Sequence, residues 1–344
     1  MTQGRRWIGA ALAALALGAC SEEDQPVRCA APGETPALFV VNTLAETLTR
    51  YDIVSHTATC HTATLGPANA NAVPNAAVVS GDRLFVVESG TNSVEVFALP
   101  GLSRLATVDL GAGSNPYGIA LGDGAVFVTN WVAGDLARID LATLGVTARS
   151  AAGTAPQGVA VAAGRVFVAN TGYAGASGYL RGAVTVHDAV TAAAEETLYV
   201  GTNPQVVFAD STGTLNVLCT GDYVTSHGRV FFIDPAVPAV VDSLELGGSP
   251  GLATLAQSGK VYVTGYFDGL LLYDAVARSV LRGPASPVAS GVGFSGMAFD
   301  PVEGRLYVAS FEEDGVRVID TTTEAQLAPF AAHDGPVACA LYRP

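Results

Sequence analysis

Short apolar runs punctuated by turn residues recur along the whole chain. Seven five-residue segments combine β-branched, aromatic and leucine residues: 38–42, 84–88, 126–130, 166–170, 215–219, 261–265 and 306–310. They follow one another at intervals of 40 to 49 residues, and almost no segment has the 3.6-residue period of an amphipathic helix. A period of this length, filled by short strands, is typical of one four-stranded blade of a β-propeller.

Each five-residue segment has a predicted strand on either side. The strand before it (strand A) is expected at 74–79, 116–121, 156–161, 204–209, 250–255 and 295–299, and the strand after it (strand C) at 48–52, 94–98, 136–140, 184–188, 230–234, 270–274 and 316–320. A glycine separates strand A from the central strand B, where a tight hairpin needs positive φ. Six of the seven C strands end in Asp, which we interpret as a turn residue rather than a catalytic acid.

The two ends of the repeat pattern complement each other. The first segment, 38–42, has no strand A before it, and the last predicted strand A, 336–342, has no segment after it. The sequence therefore predicts an all-β, seven-bladed β-propeller whose C-terminal strand joins the N-terminal blade and closes the ring. The predicted organisation is a signal peptide at 1–19, a lipidated N-terminus and tether at 20–35, and the propeller at 36–344.

Repeat three carries a resemblance to a known family. Its segments 115–120 (NPYGIA), 124–130 (GAVFVTN) and 136–140 (LARID) resemble the YVTN family of β-propeller repeats. The resemblance implies a surface or periplasmic protein of bacteria or archaea, and similar propellers include both enzymes and binding proteins. Two departures, 215–219 in repeat five and the long loop 171–182 in repeat four, are the places where a site would have been added.

The first 20 residues resemble a bacterial lipoprotein signal peptide. Arg5 and Arg6 precede a short apolar run, and the run ends in Leu-Gly-Ala followed by Cys20. The resemblance implies lipidation of Cys20, a membrane contact through that lipid, and a place in the cell envelope. Ser21 stands where an Asp would give the inner-membrane retention pattern, so we expect the outer membrane. The alternative is an ordinary signal peptide that is cut nearby.

The charge of the chain limits its partners. The chain has 31 acidic and 17 basic residues, a net charge of −14, and its basic residues are scattered singly. A nucleic acid partner is therefore not expected, because binding a phosphate backbone needs clustered Lys and Arg. Adsorption to an anionic lipid surface is disfavoured for the same reason.

One rim of the predicted ring collects aromatic and acidic residues. The connections from strand B to C and from strand D to A share this rim, and its ligand-binding candidates are Trp131, Tyr173, Tyr223, Tyr266, Phe267, Phe311, Asp222 and Asp268. The same rim is expected to carry Glu88, Tyr117, Tyr179 and Arg181. Aromatic side chains anchor many interfaces, so this rim suits a protein, peptide or glycan ligand. The alternative is that the aromatics only pack between blades.

Motifs for catalysis are weak. The chain has no H-E-x-x-H, no paired-Cys metal motif and no G-x-S-x-G elbow. We therefore predict no cofactor, no metal and no catalytic residue, and a non-enzymatic binding or scaffold protein. The alternatives are a periplasmic propeller enzyme, such as a lactonase-like hydrolase or a dehydrogenase, and a structural component of the envelope.

Four cysteines follow Cys20, and three pairings exist if all of them are bonded. In the propeller arrangement Cys60 lies on the outer strand of blade one, within reach of the N-terminal segment that contains Cys29. Cys219 and Cys339 belong to different blades and are too far apart to bridge. The arrangement favours a Cys29–Cys60 disulfide, and the state of Cys219 and Cys339 stays open.

Overall fold

The structure is a computed structural model that describes residues 35–68, 70–122, 124–265 and 267–344. These residues form 28 strands in seven four-stranded antiparallel sheets. The helical segments among them are three single 3-10 turns, at Gly175–Ser177, Gln257–Gly259 and Phe311–Glu313. The predicted seven-bladed β-propeller is confirmed. None of the helices in these ranges has the length and apolar character needed to cross a bilayer.

Each sheet is one blade, and consecutive strands run from the centre of the ring outward. Blade 1 contains β1 (Ala37–Asn42), β2 (Thr47–Asp52) and β3 (Thr57–Thr64), and blade 2 contains β4 (Pro74–Ser80), β5 (Arg83–Glu88), β6 (Ser93–Ala98) and β7 (Ser103–Asp109). Blade 3 contains β8 (Pro116–Gly122), β9 (Ala125–Asn130), β10 (Asp135–Asp140) and β11 (Val146–Ala151). Blade 4 contains β12 (Pro156–Ala162), β13 (Arg165–Asn170), β14 (Ala183–Asp188) and β15 (Ala194–Tyr199). Blade 5 contains β16 (Pro204–Ala209), β17 (Leu215–Cys219), β18 (Arg229–Asp234) and β19 (Ala239–Glu245). Blade 6 contains β20 (Pro250–Leu255), β21 (Lys260–Gly265), β22 (Gly269–Asp274) and β23 (Ser279–Arg282). Blade 7 contains β24 (Phe294–Asp300), β25 (Arg305–Ser310), β26 (Gly315–Asp320) and β27 (Phe330–Ala331). The last strand, β28 (Pro336–Tyr342), returns to blade 1.

The apolar segments are the second strands of the blades, and they are buried on both faces. Every residue of β1 and β9, for example, is buried. Seven apolar clusters fill the seven junctions between neighbouring blades. At the junction of blades 7 and 1, the rings of Tyr51 and Phe330 stack at 4.0 Å. The core is thus divided among the junctions, and each blade depends on both neighbours.

The predicted turn chemistry is confirmed. Asp140 shows the pattern: its Oδ1 accepts hydrogen bonds from the backbone N–H groups of Ala142 (3.1 Å) and Thr143 (2.8 Å). The same arrangement holds the turns after Asp52, Asp188, Asp234, Asp274 and Asp320. The glycines between strands A and B have positive φ at Gly81, Gly124, Gly164, Gly213, Gly259 and Gly304.

The C-terminal strand closes the ring as predicted. β28 pairs antiparallel with β1, with Ala37 opposite Tyr342 and Asn42 opposite Pro336. Just beyond β28, the guanidinium of Arg343 forms two hydrogen bonds with the fully buried carboxylate of Asp300 in blade 7, one of them at 2.9 Å. The C-terminal segment is therefore bound to blade 1 by backbone hydrogen bonds between β28 and β1, and to blade 7 by the ion pair of Arg343 with Asp300.

The connections define two rims. The B-to-C and D-to-A connections form what we call the upper rim, and the A-to-B and C-to-D connections form the lower rim. The described chain begins on the lower rim, where the carbonyl of Pro36 accepts a hydrogen bond from Ile53 N in the first C-to-D turn (3.1 Å). Cys60 is disulfide-bonded, whereas Cys219 and Cys339 are free thiols. Cys20 and Cys29 lie outside the described residues, so the pair Cys29–Cys60 stays a prediction.

The departure in repeat five has a structural role. Asn216 in β17 is fully buried, its Nδ2 donates to Asp210 Oδ2 (2.9 Å), and its Oδ1 accepts from the hydroxyl of Tyr273 in blade 6 (2.9 Å). A buried amide that bridges two blades needs all of these partners. This departure is therefore accounted for by packing between blades 5 and 6.

Candidate functional site

Three of the aromatic ligand-binding candidates, Trp131, Tyr173 and Tyr223, belong to one group above blades 3 to 5, together with Tyr117 and Tyr179. The rings of Trp131 and Tyr173 stack with centroids 6.1 Å apart, and Tyr173 meets Tyr179 at 5.5 Å. Burial raises the pKa of the phenols of Tyr117 and Tyr179, and the phenol of Tyr223 adds electrostatically to both shifts, which indicates that Tyr223 lies on the same side of the ring. We call these five residues the aromatic surface.

The long loop of repeat four lifts two of these rings onto the upper rim. Residues 171–182 fold back on themselves, with a bridge between Tyr173 and Tyr179, a bond from Ala174 N to Gly178 O (2.8 Å), and a bond from Leu180 N to Gly172 O (2.7 Å). Gly172 has φ +72°, and a Cβ there would lie 3.0 Å from Leu180 O. The loop is therefore an ordered hairpin with a glycine at its base.

A carboxylate positions Tyr223 from below. Asp222 Oδ1 accepts the backbone N–H groups of Val224 (2.9 Å), Thr225 (2.7 Å) and Ser226 (2.8 Å). These bonds and the Thr225 hydroxyl hold the pKa of Asp222 well below its usual range. The turn leaves Tyr223 at φ +65°, an uncommon conformation for a residue with a side chain. Its hydroxyl accepts a hydrogen bond from Gln205 Nε2 at 3.2 Å.

Exposed apolar residues extend the aromatic surface. Val132, beside Trp131, exposes 60% of its surface, and Val224, beside Tyr223, exposes 82%. Tyr173 and Tyr223 are also exposed, whereas Trp131 is half-buried. A group of exposed apolar and aromatic side chains on the surface of a globular domain is typical of an interaction site.

The other predicted rim residues lie elsewhere on the ring. Phe267 follows β21 in blade 6, and Phe311 opens the 3-10 turn after β25 in blade 7. Asp268 Oδ2 accepts the backbone N–H of Ser249 at 2.8 Å, so this carboxylate also supports a connection. Tyr266 lies outside the described residues. The ligand-binding candidates are thus spread around the upper rim, and Trp131, Tyr173 and Tyr223 are the ones that lie together, on blades 3 to 5.

The rim prediction for Glu88 is wrong. Glu88 ends β5 but turns into the junction of blades 1 and 2, where it and Glu95 are both fully buried. The hydroxyls of Thr91 and Ser93 donate to Glu88 Oε2, and Arg104 Nε lies 2.9 Å from Glu95 Oε1. Burial and the Glu95 carboxylate raise the pKa of Glu88 to about 8. The guanidinium of Arg104 pairs with Glu95, and Glu88 is the carboxyl group whose raised pKa favours the protonated form near neutral pH.

This proton makes stability depend on pH. Because the pKa of Glu88 is raised from 4.5 in the folded state, the folded protein binds this proton more tightly than the unfolded chain does. The contribution of this proton to the free energy of unfolding is fully present below about pH 4.5 and is lost as the pH rises through about 8. We expect Glu88→Gln, which carries no titrating proton, to flatten the fall of Tm between pH 5 and 8.5 and to melt a few degrees above the wild type at pH 8.5.

The control is Glu312→Gln, which changes an exposed glutamate on the upper rim. Its Tm should follow the wild-type profile across the same range, as measured by differential scanning calorimetry. A Glu88→Gln profile parallel to that of the wild type would show that Glu88 does not hold this proton.

Among the described residues, no group of three or more His, Cys, Asp or Glu side chains is placed to hold a metal ion. No family model matches the chain. No curated protein matches its sequence.

Solved structures match the fold at low identity. The hydrazine synthase of Kuenenia stuttgartiensis is 16% identical with a TM-score of 0.65, over 79% of this chain and 95% of that chain. A quinonprotein alcohol dehydrogenase-like protein of Bacteroides thetaiotaomicron is 15% identical with a TM-score of 0.64, over 91% of this chain and 80% of that chain. A chain of a nidogen/laminin complex is 13% identical with a TM-score of 0.54, over 89% and 98%. Such similarity shows the propeller fold, which hosts many unrelated functions.

Proposed function

We propose that this protein is a lipid-anchored, extracytoplasmic propeller of the YVTN repeat type. In this proposal it acts as a non-enzymatic binding protein, and its protein, peptide or glycan ligand binds on the upper rim. The aromatic surface of Tyr117, Trp131, Tyr173, Tyr179 and Tyr223 carries the proposal. Rigid aromatic side chains lose little conformational entropy on binding and bury a large area, so they supply much of the energy of many interfaces.

The construction of the aromatic surface supports a recognition role. Four of the five side chains come from the B-to-C connections of blades 3, 4 and 5, and Tyr117 lies at the start of β8. Asp222 fixes the backbone beneath Tyr223. A surface positioned in this way is preorganised, which reduces the ordering cost of binding. The phenol of Tyr223 and the amide of Gln205 add polar groups beside the rings, as polar ligands require.

The direction in which the chain enters the ring supports the anchored arrangement. Residues 35 and 36 enter on the lower rim, opposite the aromatic surface. A lipid on Cys20 would then face the lower rim, and the upper rim would be turned away from the membrane.

Retention of envelope material tests the binding proposal. We expect the immobilised wild-type propeller to retain a discrete component from its own envelope, and we expect Trp131→Ala/Tyr173→Ala to lose it. The control is Val237→Ala, which changes a valine that is 71% exposed on the lower rim and should retain the component fully. Equal retention by the wild type and the double variant would contradict the proposed site.

Mass spectrometry of the mature N-terminus tests the anchor separately. We expect the wild type to begin at Cys20 with acyl chains and to be recovered in the outer-membrane fraction. Cys20→Ala should accumulate as an unlipidated precursor, because the thiol that receives the lipid is gone. A mature N-terminus at another residue without acyl chains, or recovery only from the inner membrane, would contradict this part of the proposal.

A further inference from the structure

A groove of about 600 Å³, a volume in the range of ligand pockets, opens between blades 3 and 4. The blade 3 wall has almost no side chains, because residues 151–154 read Ala-Ala-Gly-Thr. The blade 4 wall is formed by the loop 171–182 and by residues of β14 and β15. The side chains that can select a ligand therefore come mainly from blade 4.

The strand register shows which side chains of blade 4 face the groove. Asn170, Ala183 and Tyr199 stand side by side on three neighbouring strands, a row that spans about 10 Å. The next row on the same face contains Thr185 and Thr197. The floor of the groove is therefore lined by polar side chains around the short side chain of Ala183.

The two glutamates near the lower end of this wall do not charge the groove. Glu196 pairs with Val186, whose side chain packs between blades 4 and 5, so the Glu196 side chain points to that other face. Glu195 is neutralised by Arg165, whose Nε lies 2.8 Å from Glu195 Oε2. A cationic group of a ligand would therefore have no free carboxylate to pair with at these positions.

Arg181 supplies an uncompensated positive charge to the groove. Eleven of the thirteen arginines in the described ranges form ion pairs, and Arg138 binds Ala189 O and Thr147. Arg181 has neither an ion pair nor a hydrogen bond within those ranges, and its guanidinium carbon lies 3.9 Å from the centre of the Tyr199 ring. A guanidinium that rests on an aromatic ring can still donate from its N–H groups.

Other junctions show what a guanidinium at this place binds. In blades 2, 3, 5 and 7 an arginine reaches towards the preceding blade. Each of these arginines is paired with a carboxylate of its own blade: Arg104 with Glu95 (2.9 Å), Arg149 with Asp135 (3.8 Å), Arg229 with Glu245 (3.1 Å) and Arg317 with Glu313. Blade 4 has the arginine at its junction with blade 3 and lacks the paired carboxylate.

Blade 3 shows where such a carboxylate can lie. Asp135 stands opposite Asn130 in the ladder, and the Nδ2 of Asn130 donates a hydrogen bond to the Asp135 carboxylate. Arg149 Nη2 lies 3.8 Å from the same carboxylate. In blade 3 the protein itself therefore fills this position with an acidic group.

In blade 4 the same ladder position holds an alanine. Ala183 stands opposite Asn170 as Asp135 stands opposite Asn130, and the space beside Ala183 belongs to the groove. The Arg181 guanidinium lies over Tyr199, the next ladder partner of Ala183. The groove thus offers a cation and an open space where a neighbouring blade has a carboxylate.

We propose that this groove binds an acidic sugar, with the carboxylate of a uronic acid unit at Arg181. A guanidinium can donate two parallel hydrogen bonds to a carboxylate, which makes this the strongest contact of the site. The hydroxyls of Thr154 and Thr197 can donate and accept, as the hydroxyls of a sugar require. None of the residues of the aromatic surface lines the groove, so this site stands whether or not that surface binds a ligand.

Calorimetric titration with digalacturonic acid tests the proposal. We expect saturable binding to the wild-type protein and a loss of affinity of about tenfold or more for the dimethyl ester, which has the same sugar rings without the charges. Arg181→Met removes the guanidinium, so it should lose the same factor with the free acid and nothing further with the ester. Acetate at the same concentration should not displace the sugar, because it offers the carboxylate alone.

A pair of variants at the floor of the groove separates charge from size. Ala183→Asp introduces the acidic group that blade 3 has at Asp135, so we expect a folded protein with a Tm at or above that of the wild type and a loss of binding of about tenfold or more, because Arg181 is then neutralised. Ala183→Asn has nearly the same size without the charge and should bind digalacturonic acid more tightly than Ala183→Asp does.

The matched control is Arg229→Met, which removes another guanidinium that lies over a ring at a blade junction and should bind digalacturonic acid like the wild type. No saturable binding to the wild type, equal affinity for the acid and its ester, or full binding by Arg181→Met would overturn the proposal. Equal losses in Ala183→Asp and Ala183→Asn would contradict the role of charge. Displacement of the sugar by acetate would contradict the assignment of the ligand to a sugar.

Discussion

Deleting residues 336–344 should abolish cooperative folding of the ring. β28 contributes Ala340 and Tyr342 to the junction of blades 1 and 2, and Cys339 and Leu341 to the junction of blades 7 and 1. Each large apolar side chain removed from water stabilises a fold by about 1.5–3 kcal/mol, so the loss is comparable with the whole stability of a domain, about 5–15 kcal/mol. The deletion also exposes the free edge of β1, which invites aggregation. Thermal unfolding measured by circular dichroism and calorimetry is the readout.

Two variants with smaller changes at the C-terminus should destabilise the protein less than the deletion does. Deleting the exposed Pro344 alone should leave the Tm unchanged. Arg343→Ala leaves the Asp300 carboxylate buried without its cation, which should cost about 3 kcal/mol of stability while the ring still closes. A truncated protein that melts like the full-length chain would show that blade 1 does not depend on β28.

Replacing Trp131 or Tyr223 by alanine should weaken the binding of the envelope ligand by about 30-fold or more, since truncation of a central aromatic residue typically costs about 2 kcal/mol or more. The Tm should change little for Tyr223→Ala, because that side chain is exposed. Affinity for the ligand that the wild type retains, measured by titration, gives the result for each variant.

The matched control is Asp140→Ala, which we expect to change the stability of the protein and not its affinity for the ligand. The Asp140 carboxylate is bound to the N–H groups of its own turn on the lower rim, and those bonds, above all the one to Thr143, lower its pKa. Its loss should lower the Tm and leave affinity unchanged. Lost binding in Asp140→Ala at an unchanged Tm, with normal binding in Trp131→Ala and Tyr223→Ala, would move the site to the lower rim.

Local patterns were enough to predict the ring. A strand that is buried on both faces must be apolar at every position, so the seven central strands stand out in the sequence, as 126–130 does. The positions of Gly124 and Asp140 follow from backbone rules that act within a few residues. Even ring closure needed only the observation that one end lacks an inner strand and the other end has one to spare.

The sites depend on contacts between blades, which a single repeat does not reveal. The stack of Trp131 on Tyr173 joins residues that are 42 positions apart, and the burial of Glu88 depends on how blade 1 packs against it. The inner strand of blade 3 shows the same limit. Thr129 Oγ1 accepts Gly118 N (2.8 Å) and donates to Gln157 O of blade 4 (2.7 Å), and a Cβ at Gly118 would meet that carbonyl at 2.0 Å.

Site-specific photo-cross-linking tests the binding role of the upper rim most directly. A benzophenone side chain, which reacts with C–H bonds of protein, peptide and glycan alike, replaces either Val132 beside Trp131 or Val237 on the lower rim, two exposed valines at 60% and 71%. After irradiation of intact envelopes, we expect an adduct of discrete mass from position 132 and none from position 237. An adduct from position 237 alone, or none from position 132, would contradict it.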